Sequence, residues 1–323
     1  MPSAPFRRLP FDQVPQRPPV PHRWAEATRR DITIRTDGLG EVRIAVREYG
    51  PTEQHGFSGP SPLLLVHGMG TAGYSWRYML ERLGRRHRLI IPDLPGAGDS
   101  DHPDVYLGPD VQARALLAII DALGMRGHPV IANSMGGYLA MRAALIDPGA
   151  MSRLVNEHSP GVPTFKMRVL RWALRLLPSW RILDWLIARD PERWVHNNVH
   201  YLDEELKSRE EHREFARPLL ERAGRRTYYR QLRDTLDTRD MADFVRALRA
   251  APFPIPLQLV YAPKDPIVPA MVGDRLRKLI PQAQFVKLAT GSHFAHVDAV
   301  SHFVEAVTPF IEGSSQPAAS AAR

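Results

Sequence analysis

Cysteine is absent from all 323 residues, which excludes a disulfide framework, a thiolate nucleophile and cysteine-based zinc or iron–sulfur sites. No apolar run is long enough to span a bilayer. The opening residues Met1-Pro2-Ser3-Ala4-Pro5-Phe6-Arg7-Arg8 lead into further prolines and not into an apolar segment. No signal peptide is therefore expected, and a soluble, cytoplasmic protein is the default expectation. Acidic residues are in the minority, with 35 Asp and Glu against 43 Lys and Arg and a net charge of +8. Clustered basic residues attract phosphates. Here, however, the arginines are spread among acids and no nucleic-acid-binding signature accompanies them, so no nucleic-acid partner is expected.

What is present is an alternation of strand and helix patterns. Residues 1–30 are rich in proline and arginine and lack periodicity, which predicts an irregular N-terminal arm. Residues 31–36 and 41–49 alternate apolar and polar positions around Asp37-Gly38-Leu39-Gly40, predicting a hairpin. A Gly/Pro/Ser loop over 50–62 follows. Continuous apolar strands are then expected at 62–66, 88–91, 130–133 and 151–156, with helices at 71–85, 110–123 and 137–145. That succession is the signature of a mostly parallel sheet covered on both faces. The strand signal disappears over 161–250, where a helical cap is expected, and returns with strands at 255–261 and 283–288 and helices at 270–279 and 301–311. The tail 314–323 is small and polar and is expected to be disordered. The implied organisation is a core built from 31–160 and 251–313, with the cap inserted between its halves.

The chemistry centres on Val130-Ile131-Ala132-Asn133-Ser134-Met135-Gly136-Gly137. A buried strand delivers Ser134 onto a tight turn, and two glycines let a helix start at once, as a nucleophile elbow requires. Ala132 stands where the usual form of that motif has glycine. A serine nucleophile needs a base, an acid to orient it and donors for an oxyanion. In an open parallel sheet these come from loops at the carboxyl ends of strands. Asp265 lies just beyond the strand at 255–261, and His293 just beyond the strand at 283–288. The order Ser134, Asp265, His293 is nucleophile, acid, base. The amides of Met135, after the serine, and of Met69, in Val66-His67-Gly68-Met69-Gly70, are the oxyanion donors expected from position.

His67-Gly68-Met69-Gly70, the turn from Asp93 to Ser100, the elbow, Asp265 before Ile267-Val268-Pro269, and Gly291-Ser292-His293-Phe294-Ala295-His296 together resemble the α/β-hydrolase superfamily. The resemblance runs from about 31 to 313. It implies an α/β-hydrolase fold with an inserted helical cap and a hydrolase needing neither cofactor nor metal. The elbow is similar to that of the meta-cleavage-product hydrolases, which cleave a C–C bond. Those enzymes usually carry tryptophan after the catalytic histidine, where this chain has Phe294, and hold a substrate carboxylate with a cap arginine. Epoxide hydrolases and haloalkane dehalogenases are set apart by the aspartate they carry in place of Ser134.

Other residues compete for these roles. His296 is an alternative base, although family spacing favours His293, and Glu157 follows a strand where some superfamily members carry the acid. Asp265 could instead serve as a helix N-cap. His67 is expected to hold the oxyanion loop, and Asp93 and Asp99 to brace their turn. His196 and His200, at i and i+4, could grip a metal but are read as a surface pair. The cap stretch 165–186 interleaves apolar residues with Lys166, Arg168, Arg171, Arg175 and Arg181. One face could roof an apolar pocket, while most cap tryptophans are expected to pack inward. A sharper expectation is that this basic amphipathic stretch docks on an anionic membrane surface or an acidic carrier protein. The activity expected overall is that of a carboxylesterase acting on a small or medium apolar ester through an acyl-enzyme. The alternatives are C–C bond hydrolysis and a hydrolase-fold ligand receptor with little turnover.

Overall fold

Strand order places the loops that matter. The computed structural model describes residues 8–50, 61–176 and 178–313. Most of the predicted 50–62 loop, the tail 314–323 and the first seven residues of the arm therefore lie outside the described residues. Eight strands, β1 (Thr28–Thr36), β2 (Gly40–Tyr49), β3 (Leu63–Val66), β4 (Leu89–Pro92), β5 (His128–Asn133), β6 (Met151–Glu157), β7 (Leu257–Tyr261) and β8 (Gln284–Lys287), form one sheet. Its order is β1-β2-β4-β3-β5-β6-β7-β8, antiparallel at the β1–β2 and β2–β4 pairings and parallel from β4 onward. The chain moves outward from β3 to β4 and then crosses back to β5. Loops after β3 and β5 thus splay to opposite sides at adjacent strand ends, a switch point where open α/β sheets bind ligands.

The sequence pattern explains these strands. Leu63, Leu64 and Leu65 with Val66 are fully buried because helices cover both faces. The hairpin alternates instead, with Ile34 paired opposite Val42 and both buried. It extends further than its apolar alternation suggests. Arg30 of β1 and Arg88, just before β4, both bond the Glu48 carboxylate of β2, so ion pairs hold the charged start of β1.

The helices of the core are α1 (Met79–Leu83), α2 (Pro109–Ala122), α3 (Met135–Ile146) and, after β7, α10 (Ala270–Leu279), α11 (Ala295–Asp298) and α12 (Val300–Ile311). Between β6 and β7 lie α4 (Phe165–Arg175), α5 (Ser179–Arg189), α6 (Pro191–Asn198), α7 (Arg209–Ala216), α8 (Arg222–Arg230) and α9 (Thr238–Ala250). The helix expected over 71–85 is instead a 3-10 turn, Gly73–Trp76, followed by the short α1. The Asp93 carboxylate takes the Gly73 N–H at 2.7 Å, which ties the start of this segment to the β4 loop.

A buried ion pair anchors the inserted helices. Arg77, after the 3-10 turn, meets Glu211 of α7 at 2.5 Å with both side chains wholly enclosed, and the Tyr201 hydroxyl donates to the same carboxylate at 2.7 Å. The arm adds a strap across this region. Arg209 N–H and Glu210 N–H donate to the carbonyls of Pro15 and Gln16, and the Phe11 ring lies under the Arg209 and Arg193 guanidiniums.

Two expectations about this segment fail. His196 is buried against Phe11 and His212, while His200 bonds Glu204, so the two do not form a surface pair. Of the four cap tryptophans only Trp180 and Trp194 pack, half-buried against Tyr229 and Tyr228, while Trp172 and Trp185 stay 66% and 57% exposed. α4 turns Met167, Arg171 and Leu174 toward the protein, which leaves Trp172 on its outer side.

Candidate active site

Ser134 follows β5 with φ 53° and ψ −122°, a backbone conformation that a non-glycine residue holds only when its surroundings impose it. The imposition is visible on both sides. Gly136 packs so closely on the His67 carbonyl that a Cβ there would stand 2.4 Å from it. A Cβ on Gly68 would stand 2.9 Å from the Ser134 Cβ, so the loop after β3 passes directly beside the serine. This contact follows from β3 and β5 being parallel neighbours, with Val66 opposite Ala132. It brings Met69 and Met135, the two proposed amide donors, to the wall of the cavity that holds Ser134.

The loop is fixed by His67 as the sequence suggested. Its Nε2 accepts the Leu94 N–H at 2.9 Å, so the proton sits on Nδ1 and is donated to the Gly68 carbonyl at 2.8 Å. Burial pushes this imidazole down to about 4, which keeps it neutral. Asp93 accepts from Gly73 N–H and Asp99 N–H and braces its turn, and burial pushes its carboxyl up to about 6. Asp99 does more than brace the turn. It pairs with Arg29 of β1 and with Arg217, which follows α7.

His293 Nδ1 meets Asp265 Oδ2 at 2.7 Å, with the carboxylate side chain fully covered. That leaves Nε2 as the atom free to take a proton. The other carboxylate oxygen accepts from Ile267 N–H and Val268 N–H at 2.7 and 2.8 Å, so Asp265 also performs the backbone-capping role considered for it. Sequence reasoning missed a third group. His158 follows β6 at φ 51°, accepts the Ala262 N–H on Nε2 at 2.8 Å, and places Nδ1 2.8 Å from the same Asp265 Oδ2. Burial by itself would raise the Asp265 carboxyl. The charge of His293 and the hydrogen bonds of both imidazoles outweigh it and hold the group well below the usual carboxylate range. His158, Asp265 and His293 are the one trio of potential metal ligands among the described residues. The Asp265 carboxylate already takes His293 Nδ1 and the Ala262 amide takes His158 Nε2.

Glu157 and His296 form a separate buried pair. His296 Nδ1 meets Glu157 Oε2 at 2.7 Å, His296 N–H donates to Oε1 at 3.0 Å, and Trp76 stacks on the imidazole. Asn133 donates to Glu157 and to the His293 carbonyl, which couples the elbow to the histidine loop. The geometry therefore pairs His293 with Asp265, and commits both alternatives, His296 and Glu157, to each other.

Ser134 and His293 line one cavity of about 600 Å³. Its wall is built mainly from apolar side chains of the inserted helices and of the loop after β7, among them Met167, Leu170, Leu236 and Val268. Lys166 is the one lysine or arginine among the described lining residues.

A nucleophile elbow, a histidine–carboxylate pair and a sheet of this order define a class, and comparison with known proteins agrees. The sequence model of the α/β hydrolase fold family matches residues 61–300, and the chain belongs to that family. It is a hydrolase of the α/β fold. An uncharacterized protein of Mycobacterium bovis is 25% identical over 279 residues, 81% of this chain and 77% of that one. A 2-hydroxymuconate semialdehyde hydrolase of Pseudomonas sp. is 34% identical over 115 residues, 34% of this chain and 41% of that one. Among solved structures, a thermophilic esterase from Thermogutta terrifontis superposes with a TM-score of 0.64 at 20% identity, covering 89% of this chain and 100% of that one.

Proposed function

We propose that the protein is a carboxylesterase that cleaves small or medium apolar esters through an acyl-enzyme on Ser134. The observation that carries this reading is His293, paired with the buried Asp265, in the wall of the same apolar cavity as the elbow serine. His293 Nε2 takes the Ser134 proton as Oγ attacks the ester carbonyl, and Asp265 holds the tautomer and stabilises the imidazolium. Met135 N–H and Met69 N–H receive the oxyanion. The tetrahedral intermediate collapses with expulsion of the alcohol, which takes the proton from His293. Water then attacks the acyl-enzyme with His293 again as base, releasing the acid and Ser134.

C–C bond hydrolysis is the second reading, favoured by the similarity to 2-hydroxymuconate semialdehyde hydrolase over 115 residues. The lining weighs against it, since no arginine is among the described wall residues to hold a substrate carboxylate. One experiment separates these readings and tests the receptor alternative. A fluorophosphonate probe labels the folded protein and fails to label Ser134→Ala, and a panel of p-nitrophenyl esters is turned over faster than a dienoic diketone acid. Faster turnover of the diketone reverses the choice of bond. A folded protein that takes no label and turns over neither substrate is a receptor.

A further inference from the structure

Eight of the fourteen large apolar side chains most exposed among the described residues fall within α4, α5 and the turn between them: Phe165, Val169, Leu170, Trp172, Leu176, Ile182, Trp185 and Leu186. Phe165 is 78% exposed. A monomeric soluble protein rarely leaves so much apolar surface together unless something covers it. The face is not a core packed badly. Arg171 and Arg175 of α4 turn to Asp237, so the helix gives these two arginines to the protein and its large apolar groups, with Lys166 and Arg168, to the outside.

The same face is basic. No acid occurs between Glu157 and Asp184, and of the five basic residues in that interval Lys166, Arg168 and Arg181 stay on the outside once Arg171 and Arg175 have paired with Asp237. Lys166, Arg168 and Arg181 meet no carboxylate at ion-pair distance among the described residues, and Arg189 lies over the exposed Trp185 ring at 4.7 Å. The cavity opens in this patch. Phe165 and Leu170 line it from one side and Ile267 and Met271 from the other, and all four are exposed as well.

We infer that α4 and α5 lie in the headgroup region of an anionic lipid bilayer, with the cavity mouth facing the lipid. Each helix is eleven residues long, too short to cross a membrane but suited to lying along its surface. Tryptophan at the polar–apolar boundary and long basic side chains reaching outward are the side-chain types that such an interface retains. A second copy of the chain is a poor occupant, because a two-fold contact would set the unpaired Lys166, Arg168 and Arg181 against the same residues of the copy. An anionic bilayer supplies both the apolar depth and the opposite charge. An apolar ligand dissolved in the bilayer would then reach the cavity without crossing water.

The test is co-sedimentation of the full-length protein with vesicles of phosphatidylcholine alone and of phosphatidylcholine with phosphatidylserine. Binding is expected to the mixed vesicles, weak binding to the neutral ones, and release by salt. Arg168→Glu/Arg181→Glu should lower partitioning by about 25-fold or more, from roughly fivefold per basic residue. Trp172→Ser/Trp185→Ser should lower it at least about tenfold. Neither pair lines the cavity, so hydrolysis of a water-soluble short-chain ester should be unchanged in both variants. Wild-type protein that stays in the supernatant, or charge-reversed protein that binds like wild type, overturns the inference. A dimer in light scattering that Trp172→Ser/Trp185→Ser dissolves also overturns it, by making the face a subunit contact. Sedimentation needs no turnover, so this inference and the esterase reading fail separately.

Discussion

His158 and His293 approach one carboxylate oxygen, at 2.8 and 2.7 Å from Asp265 Oδ2, with their ring centroids 5.8 Å apart. The Ala262 N–H fixes the His158 tautomer with its proton on Nδ1, so both imidazoles present N–H to Asp265. The acid is thus held from two sides, and only His293 also faces the cavity.

Replacing His158 should therefore loosen the acid without removing the base. His158→Gln is expected to lower kcat on a p-nitrophenyl ester by about ten- to a hundredfold with KM nearly unchanged. His293→Ala should cost at least a thousandfold, since triad members act as a unit. A His158→Gln loss as deep as that of His293→Ala would make His158 a direct participant. A full-activity His158→Gln enzyme would show that one donor suffices.

Glu157 and His296 differ from the Asp265–His293 pair, proposed as catalytic, in what their loss should do. Both side chains are wholly buried, and removing Glu157 leaves the His296 and Asn133 donors without their acceptor, a cost of about 1 to 3 kcal/mol. Glu157→Ala should lower urea-unfolding stability by that amount. At temperatures where the variant is folded, Ser134 should still take the fluorophosphonate label. Retained stability with abolished labelling would instead move Glu157 into the catalytic role.

Acid sensitivity should depend on His67. Its folded value, near 4, lies below the 6.5 of the unfolded chain, so between these values the unfolded state binds more protons. The stability His67 contributes is complete above 6.5 and is lost as pH falls toward 4, about 3 kcal/mol in all. Asp93 has the opposite sign. With its carboxyl raised to about 6, its contribution is present at low pH and lost as pH rises through that value. Because Asp93 is common to both proteins, the difference between wild type and His67→Gln isolates His67. Urea unfolding at neutral pH and near pH 4.5 should show the variant losing roughly 2 kcal/mol less than wild type on acidification. An equal loss in the two proteins would count against the neutral, buried His67.

Local pattern was sufficient for much of this protein. The apolar runs at 62–66, 130–133 and 151–156, the elbow after Asn133, and the placing of Asp265 and His293 just after strands are all readable within a few residues. Each depends on short-range rules of burial, turn chemistry and chain order. Those rules also carried the α/β-hydrolase fold, which the family match over 61–300 shows. Contacts across long stretches of chain were not readable in that way. Glu157 meets His296 139 residues away, Asn133 meets the His293 carbonyl 160 residues away, and His158 meets Asp265 across the β6–β7 boundary. Which carboxylate takes which histidine depends on where neighbouring strands end, and strand order is a property of the whole sheet. Amphipathic spacing likewise marked α4 and α5 as helices but not which face turns outward. Asp237, more than sixty residues on in the chain, draws Arg171 and Arg175 inward and leaves the tryptophans exposed. Periodicity defines the faces of a helix, but only its tertiary partners decide which of them is buried.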